Sequence, residues 1–101
     1  VTITTGRILF EWDEAKAKSN CRKHGIDFDD AIEFFYGPNA VVEEDRDVDG
    51  ELRWKTLGSI GGVVLLLVAH TIGEQGEDEV IRIISARHAD RKERRRYEQN
   101  R

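Results

Sequence analysis

Apolar and polar positions along this chain keep time first with a helix and then with a strand. Phe28, Ala31, Ile32 and Phe35 recur at i, i+3, i+4 and i+7, which is one face of a helix. From Leu52 to Ile60 the period is two, with Arg53, Lys55, Leu57 and Ser59 on one side and Trp54, Thr56 and Ile60 on the other. Val63 to His70 is apolar on both sides, as a central strand covered on both faces would be. Boundary residues fill in the rest. Asp13 can cap a helix from Glu14 to His24 that Gly25 stops, and Asp27 with Asp30 restarts the chain as a second helix, ended by Gly37-Pro38-Asn39. Strands are expected at Arg7 to Trp12, at Ala40 to Glu44 and at Val80 to Ser85, with an Asp-rich turn from Asp45 to Gly50 whose closing Asp-Gly favours a hairpin. Gly61-Gly62 should turn the chain, and the polar stretch Ile72 to Glu79 reads as a loop. Asp90 and Glu93 have capping-box spacing, predicting a last helix from about Arg91 to about Asn100. The order is β-α-α-β-β-β-β-α with short links. It predicts an α+β fold, a twisted antiparallel sheet with two N-terminal helices and one C-terminal helix.

At 101 residues, the chain is expected to be a single domain spanning 1–101. Cys21 is its one cysteine, which excludes an intrachain disulfide and points to a reducing compartment. The longest apolar run, Val63 to Ala69, is far shorter than the roughly 20 residues a membrane helix needs, and no stretch has the build of a secretory signal. The expectation is a cytoplasmic protein with no membrane partner.

Charge changes the picture more than composition does. The net charge is -4, yet Asp27 to Glu51 holds ten acids against one base, and Arg82 to Arg101 holds eight bases against three acids. One region suits phosphates and another suits a basic partner, unless both are simply solvated faces. Ten acids beside a phosphate site would repel its ligand, so the acidic stretch is expected to lie away from the basic surface.

An antiparallel sheet would bring Arg53, Lys55, Arg82, Arg87 and Tyr97 near one another. Arg82 interrupts an apolar strand, where a charge is costly unless it reaches a ligand or pairs with an acid such as Glu43 or Glu44. Arginine forks bind phosphate oxygens at two points and stabilise charge on a pentacoordinate phosphorus. A histidine titrates near neutral pH and suits proton transfer. His24 reads as a helix C-terminal residue and His70 as structural, which leaves His88, beside Arg87, as the best placed. Cys21 and His24 have a C-x2-H spacing, but no second Cys pair exists, so no metal is expected and Cys21 reads as a small residue on the inward side of the first helix, one turn after Ala17.

Two blocks carry a family resemblance. Phe10-Glu11-Trp12-Asp13, Lys16, Asn20, Lys23-His24-Gly25-Ile26, Phe28 and Ala31 form the first; Ile81-Arg82-Ile83-Ile84-Ser85-Ala86-Arg87, Arg91-Lys92-Glu93-Arg94 and Tyr97-Glu98 form the second. In order and spacing they resemble the BrnT family, the toxin half of a bacterial type II toxin–antitoxin pair. The resemblance implies a RelE-like sheet and a metal-independent endoribonuclease without cofactor. It implies a BrnA-type ribbon-helix-helix antitoxin as partner, contact with operator DNA only through that antitoxin, and a homodimer or a heterotetramer with it. It carries the active surface onto Arg53, Arg82, Arg87 and Tyr97, while His88 stands where many relatives have Arg or Lys. Lys55, Arg91, Arg94 and Arg95 are then RNA-binding candidates, and a non-catalytic corepressor is the alternative.

Overall fold

Helix ends fall where their capping residues dictate. In the computed structural model, which describes residues 2–5, 7–37, 39–60 and 64–99, α1 spans Glu14–His24. Asp13 Oδ1 accepts from the Lys16 N–H at 3.1 Å, and Gly25, at a left-handed φ of 70°, donates its N–H to Cys21 O at 2.8 Å. The last helix, α3 (Arg91–Gln99), opens with a reciprocal capping box: Glu93 N–H donates to Asp90 Oδ1 and Asp90 N–H to Glu93 Oε1, each at 2.8 Å.

The second helix departs from its expected form. Asp27 makes no side-chain cap, and α2 (Phe28–Ala31) gives way after one turn to a 3-10 segment, Ile32–Tyr36. Tighter winding puts Phe28, Ala31 and Phe34 in line and buries Phe34, with Phe35 only partly covered. The 3-10 backbone lies directly on Gly58, where any Cβ would collide with the Phe34 carbonyl oxygen. A tight approach, not helix periodicity, decides this segment. Cys21 also differs, since the covered side of α1 is Ala17, Asn20 and His24, leaving the thiol exposed.

Among the described residues six strands form one sheet: β1 (Thr2–Thr5), β2 (Ile8–Glu11), β3 (Val41–Val48), β4 (Glu51–Ile60), β5 (Val64–Gln75) and β6 (Asp78–His88), in the order β1-β2-β6-β5-β4-β3. The sheet is mixed, because β2 runs parallel to β6, Phe10 opposite Ile81. The chain reaches β6 only after β3, β4 and β5, each antiparallel to the next, and a strand returning beside β2 after that detour is free to run in either direction. β3 outruns its expected end and turns at Asp49 (φ 52°) and Gly50 (φ 85°), where Gly50 N–H donates to Asp47 Oδ1 at 2.8 Å. The expected loop from Ile72 to Glu79 is a hairpin instead, its pairing carried to Gln75 opposite Asp78 by a turn with Gly76 at φ 64°. Solvated strand tips need no apolar side chains, so polarity alone misread them. The expected turn at Gly61-Gly62, Pro38 and the end of the last helix at Asn100 lie outside the described residues.

The sheet has two unequal faces. On the first, α1, α2 and the 3-10 segment cover a core of Phe10, Trp12, Phe28, Phe34, Leu66, Val68, Ile81 and Ile83. On the second, α3 covers one end alone, over Leu57, Leu65, Ala89 and Tyr97. Asn20 locks α1 to the sheet. Past Arg82 no strand among the described residues pairs with β6 on its β2 side, and there the Asn20 amide accepts from Ala86 N–H at 3.1 Å and donates to Ala86 O at 2.9 Å. A side chain thus completes the ladder of a buried strand edge, which would otherwise leave two polar groups unmet.

Candidate functional site

A single extra residue in β6 decides which charges share a face. Ala69 lies opposite Ser85 and His70 opposite Ile83, so Ile84 is a bulge. Before it Arg82 points to the second face, and after it Ser85 and Arg87 do. Without the bulge, the two-residue period would put Arg82 with His88 and send Arg87 to the other side.

The uncovered part of the second face therefore gathers Arg82 and Arg87 from β6 with Arg53 and Lys55 from β4, whose alternation matches the sequence pattern. Glu51, on the same side of β4, holds two of them. Its Oε1 accepts from Arg82 Nη2 and lies 3.6 Å from Arg53 Nε. Arg53 Nε is buried and has no hydrogen-bond partner among the described residues. Lys55 Nζ stands 3.9 Å from Asp45 Oδ1, and Arg96 of α3 pairs with Glu43. The acidic stretch accordingly does not keep clear of the basic surface. Glu43, Asp45 and Glu51 alternate onto it and partner its bases. Arg82 pairs with an acid as a strand arginine is expected to, but with Glu51 and not with Glu43 or Glu44.

Arg87 and Tyr97 lie on this face with their polar atoms engaged. Arg87 grips Glu93 through Nη1 and Nη2 at 2.8 and 2.9 Å, and the same carboxylate takes the Asp90 N–H. The bidentate bond holds the Glu93 carboxyl below the usual carboxylate range and the Arg87 guanidinium above its usual value. Tyr97, buried, shares a 2.8 Å hydrogen bond with Ser59 Oγ. Together these contacts hold down a helix that has almost no apolar content of its own. Arg91, Arg94 and Arg95 are exposed on α3.

None of the three histidines shares the arginine face. His88, opposite Leu66, lies on the first face beside Gly25, Ile26 and Asp30, which separates it from the arginines it was expected to join. His24 ends α1. His70 is buried against Phe35, with Nδ1 3.1 Å from Thr71 O and Nε2 2.8 Å from Thr56 Oγ1. A carbonyl only accepts, so Nδ1 carries the proton and the Thr56 hydroxyl donates to Nε2. Burial pushes the His70 pKa down, favouring this neutral ring. Asp27, as a hydrogen-bond partner, pushes the Cys21 thiol pKa up, away from reactivity. Among the described residues no three His, Cys, Asp or Glu side chains converge as metal ligands, and no helix is long and apolar enough to cross a membrane.

The arrangement has the chemistry to take an anion in place of its own carboxylate. Two guanidinium groups, from β4 and β6 on either side of β5, converge on Glu51, where a phosphate diester would bring the same charge and oxygen acceptors. Glu51 was absent from the sequence-derived candidates, although its place two residues before Arg53, just after the Asp-Gly turn, puts it on the same face.

Comparison with known proteins bears on the family. A family model described as the ribonuclease toxin BrnT of a type II toxin–antitoxin system matches residues 12–93. The crystal structure of the Brucella abortus ribonuclease toxin BrnT superposes with a TM-score of 0.61 at 31% identity, over 81% of this chain and 96% of that one. A search of curated proteins gave no match.

Proposed function

The chain belongs to the BrnT family of ribonuclease toxins of type II toxin–antitoxin systems, and from that membership we propose that it is a metal-independent endoribonuclease whose RNA crosses the second face of the sheet. The observation that supports this is the convergence of Arg53 and Arg82 on one carboxylate, with the Arg53 Nε buried and unmet. A scissile phosphate replaces the Glu51 carboxylate between the two guanidinium groups. The ribose 2′-oxygen then attacks phosphorus, the bond to the 5′-oxygen breaks, and the products are a 2′,3′-cyclic phosphate and a 5′-hydroxyl. Arg53 and Arg82 stabilise the extra charge on the phosphorane, the effect that dominates where little covalent chemistry is asked of the protein. Glu51, displaced but adjacent, takes the proton of the 2′-hydroxyl, and solvent protonates the leaving oxygen. Lys55 and the exposed Arg91, Arg94 and Arg95 hold flanking phosphates.

In this reading Arg87 and Tyr97 position α3 and do not touch the substrate. The domain works in the cytoplasm under a BrnA-type ribbon-helix-helix antitoxin, reaches operator DNA only through it, and assembles with it as a heterotetramer. A non-catalytic corepressor is the second reading, favoured by the pairing of Arg53, Lys55, Arg82 and Arg87 with acids of this same chain. The test is Arg82→Ala beside Arg53→Ala. Both are expected to lose cleavage by about 100-fold or more, the scale of removing one group that stabilises transition-state charge, with an unchanged unfolding midpoint. Full activity in either variant, or a cooperative loss of fold, would return these arginines to a structural role.

A further inference from the structure

Beyond the helices, the first face of the sheet is left open, and its chemistry is the reverse of the arginine face. Tyr36, Val42 and Ile72 are 48%, 51% and 39% exposed and surround a groove of about 200 Å³ whose floor includes Phe35, His70 and Ile81. Leu52, 37% exposed, and Trp54 extend the apolar surface along β4, as far as the edge of a separate cleft of about 650 Å³ that Glu51 and Arg82 line from the arginine face. So many large apolar side chains in one patch mark a contact surface. Its rim is acidic. Glu44 lies opposite Trp54 and Glu74 opposite Glu79, all three exposed, and among the described residues none forms an ion pair. A register shift after Glu44 sets Arg46 opposite Arg53, on the arginine face, and with Arg53, Lys55, Arg82 and Arg87 there too, no Lys or Arg of the described β3 to β6 projects to this side. The acidic stretch is thus divided by strand alternation, Glu43 to the arginines and Glu44 to this rim.

We infer that this groove is where the antitoxin anchors, through a segment that sets two or three apolar side chains between flanking lysines or arginines. The inference rests on the family's being a toxin–antitoxin pair. A second copy of this chain fits poorly, since it would bring one acidic rim against another. RNA is excluded by the same charges. Because the groove and the arginine face lie on opposite sides of the sheet, antitoxin binding and RNA binding are separable by mutation.

The experiment uses purified chain and its separately purified cognate antitoxin, with affinity read by calorimetry at several salt concentrations. Val42→Lys with Ile72→Lys places two like charges under the basic segment and removes two apolar side chains from the groove, and is expected to weaken binding by about 100-fold or more. Glu44→Gln with Glu79→Gln, two exposed residues outside the core, is expected to weaken it about tenfold and to flatten its salt dependence. RNA cleavage by the free variants should equal that of the wild type. Wild-type antitoxin affinity in both double variants overturns the inference. So does a wild-type chain that sediments as a dimer and becomes monomeric with Val42→Lys, because the groove is then its own interface. Absence of RNA cleavage in the wild type would count against the proposed activity alone, leaving the antitoxin surface to be judged on affinity.

Discussion

Replacing Tyr97 by Phe separates an anchor from a catalyst. The hydroxyl shares a 2.8 Å hydrogen bond with Ser59 Oγ, and the two residues are 8% and 9% exposed. Tyr97→Phe removes that bond and leaves the Ser59 hydroxyl buried without its partner, a loss of about 1–2 kcal/mol. For a domain of this size that corresponds to a fall of roughly 4–12 °C in the unfolding midpoint. Ser59→Ala alone should cost about 1 kcal/mol, and the double variant, which leaves no orphaned hydroxyl, should be less destabilised than the sum by about 1 kcal/mol. Urea unfolding of the four proteins gives the cycle, and RNA cleavage per folded molecule, measured in the same preparations, should not change. The reasoning fails if Tyr97→Phe unfolds like the wild type while cleavage falls by about 100-fold, the scale of a missing general acid or base. The hydroxyl would then be meeting RNA, as its sequence position suggested.

Glu51→Gln should bind RNA more tightly, because the carboxylate no longer competes for Arg53 and Arg82, yet turn over more slowly; filter binding with single-turnover kinetics tests both, and a variant that binds more weakly would show Glu51 to be a support for the arginines. His70 is held neutral by burial, so its folded pKa lies below the unfolded value of about 6.5. Its contribution is complete above the unfolded value and is lost as pH falls through the folded one, so unfolding free energy should decline below about pH 6.5. His70→Gln should flatten that slope, and an equally steep slope in the variant would assign it to other groups. Replacing Arg91, Arg94 and Arg95 together by Gln should weaken binding to all RNA sequences alike and lower the log–log salt slope by about 0.7 for each phosphate no longer neutralised. An unchanged slope would put the outer side of α3 against solvent or antitoxin.

What could be read from the sequence was local. Asp13, Gly25 and the Asp90–Glu93 pair fix helix ends through neighbours within a turn, and the Asp49-Gly50 turn sets β3 against β4, so their residue types carry the answer. Strand alternation in β4 likewise aligned Arg53 and Lys55 correctly. What escaped depends on distant backbone. The parallel pairing of β2 with β6, the 3-10 winding over Gly58 and the bulge at Ile84 leave no periodic mark. That bulge moved His88 off the arginine face and moved Arg87 onto it. The polar hairpin tip was hidden for another reason, since its strands are stabilised by ladder hydrogen bonds and a glycine turn and bury little. Glu51 was legible by parity, but only pairing geometry revealed that one carboxylate serves two arginines.

Cleavage of RNA by the purified, antitoxin-free chain in excess EDTA, with analysis of the new ends, bears most directly on the account. It predicts strand scission at an unchanged rate, leaving 2′,3′-cyclic phosphate and 5′-hydroxyl ends, slowed by about 100-fold or more in Arg82→Ala. Intact RNA under these conditions, scission restored only by added divalent metal, or ends carrying 5′-phosphate would contradict it.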